Sequence, residues 1–219
     1  MAPVFSTNPV ELLLLVPPLL FALTVHEWSH GYAALRLGDP TAKLLGRLTL
    51  NPIAHLDPIG SILLILPPHF GWAKPVPVDP RYLRDPRRDM MWIALAGPVS
   101  NVILAIVFGT ILRVVAALPV TDVGTAGMAA VHMIRASVYI NLVLAMFNMI
   151  PIFPLDGSKV LTGLLSREHA ERFLAFERYG PMVLFGIILL GAFTGMSLIG
   201  RLILPAVWTL GNLFTGGLL

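Results

Sequence analysis

The feature that most constrains the fold is a series of long stretches in which charged residues are rare or absent. The sequence has 219 residues, of which 56% are hydrophobic and only 12% are charged, whereas soluble domains carry about 25% charged residues. About 20 consecutive apolar residues cross the hydrocarbon core of a bilayer as a helix. The stretches of suitable length are 10–37, 90–118, 128–155, 179–200 and 202–219. We therefore predict an all-α polytopic membrane protein with five to six transmembrane helices.

Region 40–89 has a different pattern, which predicts a small membrane-associated β element. Residues 43–50 and 72–78 are expected to be extended, and the prolines of the second stretch confine it to the edge of a sheet. Residues 59–66 are apolar but too short to span a bilayer alone, which favours a re-entrant or interfacial segment. With neither repeats nor an appended soluble domain in the pattern, we expect residues 1–219 to form a single membrane domain.

One carboxylate stands inside the first apolar stretch, in the order His26-Glu27-Trp28-Ser29-His30. A charged side chain at membrane depth is costly, so it marks a functional site by default. Histidines four residues apart lie on one face of a helix and can bind one Zn²⁺, and the glutamate between them can act as a general base. The pattern predicts a zinc hydrolase whose site lies within the bilayer.

A catalytic zinc needs a third protein ligand and one open position. The sequence contains no cysteine, so the third ligand must be an aspartate, a glutamate or another histidine. Asp156 is the strongest candidate, because it follows an uncharged run that Pro151 and Pro154 interrupt. Unwound backbone at membrane depth occurs where it is buried in protein or lines a cavity. The weaker candidates lie in polar, interfacial or outward-facing segments: His55, His69, His132 and His169.

These elements together resemble the site-2 protease family of intramembrane zinc metalloproteases. The resemblance is carried by the H-E-x-x-H helix, by N-x-x-P-x-x-P-L-D-G at 148–157 and by A-G-P-V-S-N at 96–101. The stretch F-G-W-A-K-P-V-P-V at 70–78 is similar to that of the short single-domain prokaryotic members. The resemblance implies a zinc-dependent endopeptidase that hydrolyses peptide bonds within or near transmembrane helices of other membrane proteins, as in regulated intramembrane proteolysis.

The resemblance also implies roles for individual residues. One Zn²⁺ per chain is expected to be held by His26, His30 and Asp156, and Glu27 is expected to be the general base. These roles agree with the chemistry of the H-E-x-x-H motif, in which the glutamate takes a proton from the attacking water.

Further residues are candidates for contacts with a substrate. The resemblance gives Asn148 a contact with the substrate or the developing oxyanion, and Asn101 is a weaker candidate for the same contact. Both amides also fit simple hydrogen bonding between helices. An extended substrate is expected to pair with the edge strand by β-augmentation, through Trp72, Ala73, Lys74, Pro75 and Val76. The implied substrates are single-span membrane proteins, such as an anti-sigma factor or a signal-peptide remnant.

The basic residues predict the orientation of the chain in the bilayer. If the first helix runs inwards, 12 of the 15 lysines and arginines fall on the inner side, and the exceptions are Arg113, Arg135 and Arg201. This is a strong positive-inside bias. It predicts an N-terminus outside and an active site towards the cytoplasmic side of a prokaryotic plasma membrane. The net charge of +3 comes from residues beside the spans, so we expect a lipid bilayer as partner and no nucleic acid.

Two other classes of protein fit part of the pattern. A transporter or an inactive scaffold could use Glu27 and its neighbouring histidines as a proton or metal relay. A membrane zinc protease that cuts soluble segments would take its third ligand from a downstream glutamate or histidine. The L-D-G element at 155–157 argues against both, and the sequence shows no inverted repeat of broken helices. The oligomeric state stays open.

Overall fold

The computed structural model of the protein describes residues 9–60, 71–118, 124–195 and 197–219. Short 3₁₀ turns lie at Pro52–His55, Pro80–Tyr82 and Glu177–Tyr179. The α-helices within the described residues are α1 (Pro9–Leu37), α2 (Thr41–Leu44), α3 (Pro86–Ala117), α4 (Gly124–Asn148), α5 (Asp156–Leu164), α6 (Arg167–Leu174), α7 (Gly180–Thr194) and α8 (Leu198–Thr215).

Five helical segments of the described chain are long and apolar enough to cross a membrane. They are Leu12–Leu37, Pro86–Ala117, Gly124–Asn148, Arg167–Thr194 and Leu198–Thr215. The polytopic α-helical class predicted from the sequence is confirmed, and the protein is an integral membrane protein.

The helix ends follow local signals that differ in places from the predicted spans. α4 begins at Gly124 and ends at Asn148, so the predicted span 128–155 extends too far into the proline-containing loop. α7 ends at Thr194, where Gly195 adopts a left-handed φ of 68°, a conformation that ends helices and favours glycine. α8 begins at Leu198, so Arg201 lies within a helix and does not separate two of them.

The predicted β element is wrong for the residues that the structure describes, which contain no strand. The first two residues of the first predicted strand, 43 and 44, belong to the helix α2. In the second, an isolated antiparallel bridge joins Ala73 to Leu56. Pro75 and Pro77 have no N–H to donate to a ladder, which explains why the bridge does not extend. The predicted re-entrant segment 59–66 lies, from residue 61 onwards, outside the described residues.

α3 is the central helix of the packing. It contacts α1, α4, α5 and α8, and α1 also contacts α4. Its first turn is fixed by Pro86 and by the side chain of Asp85, which accepts a hydrogen bond from the backbone N–H of Arg88 at 3.2 Å, a favourable helix start. The position of α3 places its side chains between the two histidines of α1 and the neighbouring helices.

Candidate metal centre

Three side chains with metal-binding atoms meet at the centre of the molecule. His26 and His30 lie one turn apart on α1, and Asp156 is the first residue of α5. One ligand atom from each of the three residues lies within 4.8 Å of the other two, and both His26 and Asp156 are buried. A motif on one helix and an aspartate 130 positions further along the chain are thus brought together, as the sequence predicts.

The distances within this group fit a tetrahedral zinc site. Asp156 Oδ2 lies 3.1 Å from His26 Nε2 and 3.3 Å from His30 Nε2. Two ligands bound to Zn²⁺ at about 2.0–2.1 Å with tetrahedral angles stand roughly 3.3 Å apart. Two imidazoles and one carboxylate are also a donor set typical of catalytic zinc, which keeps its fourth position for water or substrate.

Gly97 leaves the space that a metal would need. A β-carbon on this residue of α3 would lie 2.5 Å from His30 Nε2 and 2.6 Å from His26 Nε2. A β-carbon essentially never comes this close to a non-bonded atom, so any other residue would displace the two rings. The close approach to both metal-binding nitrogens is a reason for glycine at this position.

A sharp turn after α4 brings Asp156 to the histidines. The backbone of 149–155 is non-helical, and a β-carbon on Gly157 would lie 2.3 Å from the carbonyl oxygen of Met149, so glycine lets α5 start directly against the end of α4. An aspartate binds a metal in its carboxylate form, and Asp156 Oδ2 faces Nε2 of both histidines.

α3 provides a hydrogen-bond partner for the Nδ1 atom of each histidine, the ring nitrogen that does not face Asp156. His26 Nδ1 lies 2.5 Å from Asn101 Oδ1, and His30 Nδ1 lies 2.7 Å from the carbonyl oxygen of Ile93. Because both partners are acceptors, each Nδ1 carries the hydrogen and donates it. Each Nε2 therefore keeps its lone pair directed towards Asp156, as a metal ligand requires.

Glu27 is half-buried beside His26 on α1 and contacts the extended segment that follows the β-bridge. Its Oε2 accepts a hydrogen bond from the backbone N–H of Val76 at 2.9 Å. On the same segment, the carbonyl oxygens of Lys74 and Pro75 accept bonds from Arg47 Nη2 at 3.0 and 3.4 Å. Residues 74–76 are thus held between the H-E-x-x-H helix and Arg47.

The two asparagines singled out in the sequence have different environments. Asn148 donates to the carbonyl oxygen of Leu144, four residues earlier in α4, at 3.0 Å, and it is half-buried. Asn101 is wholly buried, and its amide contacts His26, Asn141 and the carbonyl of Ala22. These contacts enclose Asn101 between α1, α3 and α4, and its contact with the substrate or the oxyanion stays a prediction.

Sequence reasoning missed Asn141, which extends the polar cluster into α4. Asn141 is wholly buried and bonded to Asn101 at 2.8 Å. The sequence does contain a pattern that could have identified Asn141, because this amide lies inside the uncharged run 136–155. Buried polar residues in such runs pair across helices. What the sequence did not give is which helix the amide faces.

The fold and the site define a class: a polytopic membrane protein with a two-histidine, one-carboxylate zinc site and a glutamate beside it. The sequence matches the model of Peptidase family M50 over residues 14–192. The chain belongs to this family and is a zinc metalloprotease.

Curated relatives agree with this assignment. The chain is 38% identical over 180 residues to the Bacillus subtilis (strain 168) protein named "Putative zinc metalloprotease YwhC", covering 82% of each chain. It is 26% identical to "Putative zinc metalloprotease Rip2" of Mycolicibacterium smegmatis, over 81% of this chain and 67% of that protein. It is 24% identical to "Zinc metalloprotease MJ0392" of Methanocaldococcus jannaschii, over 69% of this chain and 34% of that protein. No solved structure gives a significant match.

Proposed function

We propose that the protein is an intramembrane endopeptidase that cuts within or near the transmembrane helices of single-span membrane proteins, in the manner of regulated intramembrane proteolysis. The observation that carries the proposal is the depth of the site. Glu27 lies 15 residues from one end and 10 from the other of the apolar helix Leu12–Leu37, which is roughly 22 and 15 Å along the helix axis. A protease site at that depth meets substrates that lie in the membrane.

The proposed roles follow from the geometry of the group. His26, His30 and Asp156 hold the zinc, whose chemistry when bound is to activate water and polarise the scissile carbonyl. Glu27 stands beside His26, accepts the proton of the attacking water and returns it to the leaving amine. The N–H of Val76 bonds only one carboxylate oxygen in the described contacts, and we assign the proton transfer to the other.

We propose two further contacts with the substrate. Asn148 would release Leu144 and turn its amide towards the substrate carbonyl or the developing oxyanion. The segment Trp72, Ala73, Lys74, Pro75 and Val76 would receive an extended substrate, since Val76 contacts Glu27. Because helical peptide bonds are shielded by their own turns, a substrate must unwind before it is cut, and an extended partner segment favours that.

The proposed location is a prokaryotic plasma membrane with the N-terminus outside and the active site towards the cytoplasm. The support is the positive-inside bias of the lysines and arginines. Single-cysteine labelling on either side of the membrane, in a chain that has no native cysteine, tests it directly.

The proposed function is tested with the full chain in proteoliposomes and a panel of single-span substrates. Wild type loaded with zinc should cut substrates within or near their apolar segments. Glu27→Gln should bind zinc normally and lose at least about 10³-fold in cleavage rate, because it lacks the proton acceptor. Asp156→Ala should lose both zinc and cleavage. A zinc-loaded wild type that cuts no member of a broad panel, or an Asp156→Ala variant with full zinc content, would contradict the proposal.

A further inference from the structure

We propose that Asn101 is a positioning residue that fixes the ring of His26 for the metal, and that Asn141 in turn fixes Asn101. The inference rests on the proposed function, in which His26 is a zinc ligand. It gives the A-G-P-V-S-N stretch at 96–101 a physical task that differs from contact with the substrate.

The donor and acceptor of every hydrogen bond in this cluster can be assigned by starting from the bond that lies farthest from His26. The backbone carbonyl of Ser137 can only accept, so Asn141 presents its Nδ2 there, at 2.8 Å. Asn141 Oδ1 therefore faces Asn101 and accepts from Asn101 Nδ2 at 2.8 Å. Asn101 Nδ2 also donates to the carbonyl of Ala22 at 3.3 Å. The amide of Asn101 is thus locked with its oxygen towards His26.

This lock determines the state of the His26 ring. Asn101 Oδ1 can only accept, so His26 Nδ1 must carry the hydrogen, and Nε2 is left as the ligand atom that faces Asp156. Without the acceptor, the ring would exchange between two tautomers and rotate about its side-chain bonds. Groups that orient a metal-binding histidine in this way are worth about 10- to 100-fold in metal affinity.

The burial of the two amides argues for a specified network. Asn101 and Asn141 are both wholly buried, and an amide left without partners in such a place costs about 1–3 kcal/mol. Apolar residues would fill the same space between α3 and α4 without that risk. The satisfied amides therefore suggest a task beyond packing, and the chain of bonds ends at Nδ1 of a metal-binding histidine, His26.

The same face of α3 serves the second histidine. Ile93, Gly97 and Asn101 follow one another at four-residue spacing, so they lie along one face of the helix. Ile93 supplies a carbonyl for His30, Gly97 supplies clearance beside both Nε2 atoms, and Asn101 supplies the amide oxygen for His26. Three residues on successive turns of α3 thus orient the rings of His26 and His30.

The test compares two variants of Asn101 in the full-length protein by zinc affinity, measured with a competing chelator in the absence of substrate. Asn101→Leu removes the acceptor and should weaken zinc binding by about 10- to 100-fold. Asn101→Asp keeps an oxygen for His26 but loses the donor to Asn141, so it should lower stability yet bind zinc within about threefold of wild type. Equal losses of zinc affinity in both variants, or none in Asn101→Leu, would overturn the inference.

A matched control and a measurement on the wild type complete the test. Thr24→Val removes another buried hydrogen bond, from the hydroxyl to the carbonyl of Leu20 on the helix that carries His26, and should leave zinc affinity unchanged. Nitrogen chemical shifts of the zinc-loaded wild type should show His26 with a protonated Nδ1 and a metal-bound Nε2. Metal on Nδ1 would overturn the inference even if no Asn101 variant can be purified. A failure to find any cleaved substrate leaves these binding measurements intact, so the two proposals can fail separately.

Discussion

α4 and the segment 167–194 have nearly the same mean hydropathy, yet the protein buries much more of α4. In the most apolar window of each, 39% of the residues of α4 are buried in the protein, against 11% in 167–194. α4 also carries Ser137 and Asn141 among its buried residues, whereas Met182 and Phe193 on α7 are exposed. Hydropathy thus indicates that a segment belongs in a membrane, and the buried polar side chains indicate which face meets protein.

The comparison predicts that substitutions around the buried polar cluster have large effects and that those on the lipid-facing side of α7 have small ones. The largest effect is expected at Gly97, where a β-carbon would lie against both metal-binding nitrogens. Gly97→Ala should lose zinc binding by more than about 100-fold and lose cleavage with it. Zinc content and chelator competition measure the loss.

Gly109 provides the matched control for this prediction. It lies on the same helix, and a β-carbon there would lie 3.0 Å from Phe214, far along α3 from the histidines. Gly109→Ala should lower the free energy of unfolding while zinc affinity stays at the wild-type value. If both variants lose zinc affinity equally, the loss reflects disturbed packing of α3, and the assignment of Gly97 to the metal site is wrong.

The next largest effect is expected in the apolar core beside the polar cluster. Leu142 follows Asn141 on α4, is wholly buried and packs with Ala105, Val138 and Val207. Leu142→Ala should lower the free energy of unfolding by about 2–4 kcal/mol, because packing contacts are lost around a cavity. Unfolding in mixed detergent micelles measures it. A loss below about 1 kcal/mol would show that this core relaxes around the cavity.

A smaller effect is expected where the extended segment meets Glu27. Val76→Pro removes the N–H that holds the carboxylate and should lower kcat by about tenfold with zinc content unchanged. Val76→Ala keeps the N–H and is the control for the lost side chain, which is itself buried. A rise in KM with kcat unchanged would instead favour the substrate-binding role of residues 72–76 over the positioning of Glu27.

The sequence was sufficient for the parts of the site that local patterns encode. His26, Glu27 and His30 follow one helical turn, and the proline-broken run marked Asp156 as their partner. The same reasoning failed for residues 72–78, which were predicted to form an edge strand. The prolines there have no N–H to donate, and the N–H of Val76 bonds the side chain of Glu27, so only one bridge forms. The partner of Val76 is a side chain 49 positions away, which no local pattern reveals.

The role of Asn101 marks a second limit of the sequence. Its motif pointed to function, but the contact that defines it joins α3 to α1 and α4 at once. A sequence lists polar residues in apolar helices without saying which of them face one another. The donor and acceptor of each hydrogen bond can be assigned only from the structure, because the backbone carbonyl of Ser137 can only accept and so fixes one end of the chain of bonds.

The smallest effect is expected at Leu190, the counterpart of Leu142 on α7. The same change, Leu190→Ala, is made on a helix of similar apolarity, but 53% of this side chain is exposed at the surface of the protein. Since lipid replaces the lost contacts, the free energy of unfolding should change by no more than about 0.5 kcal/mol, and cleavage should stay at the wild-type rate. A loss above about 1 kcal/mol would mean that this face of α7 packs against protein in the membrane. Burial within one chain would then no longer explain the difference between α4 and α7, and dilution in detergent would separate contact with a second copy from contact with lipid, because only the former depends on protein concentration.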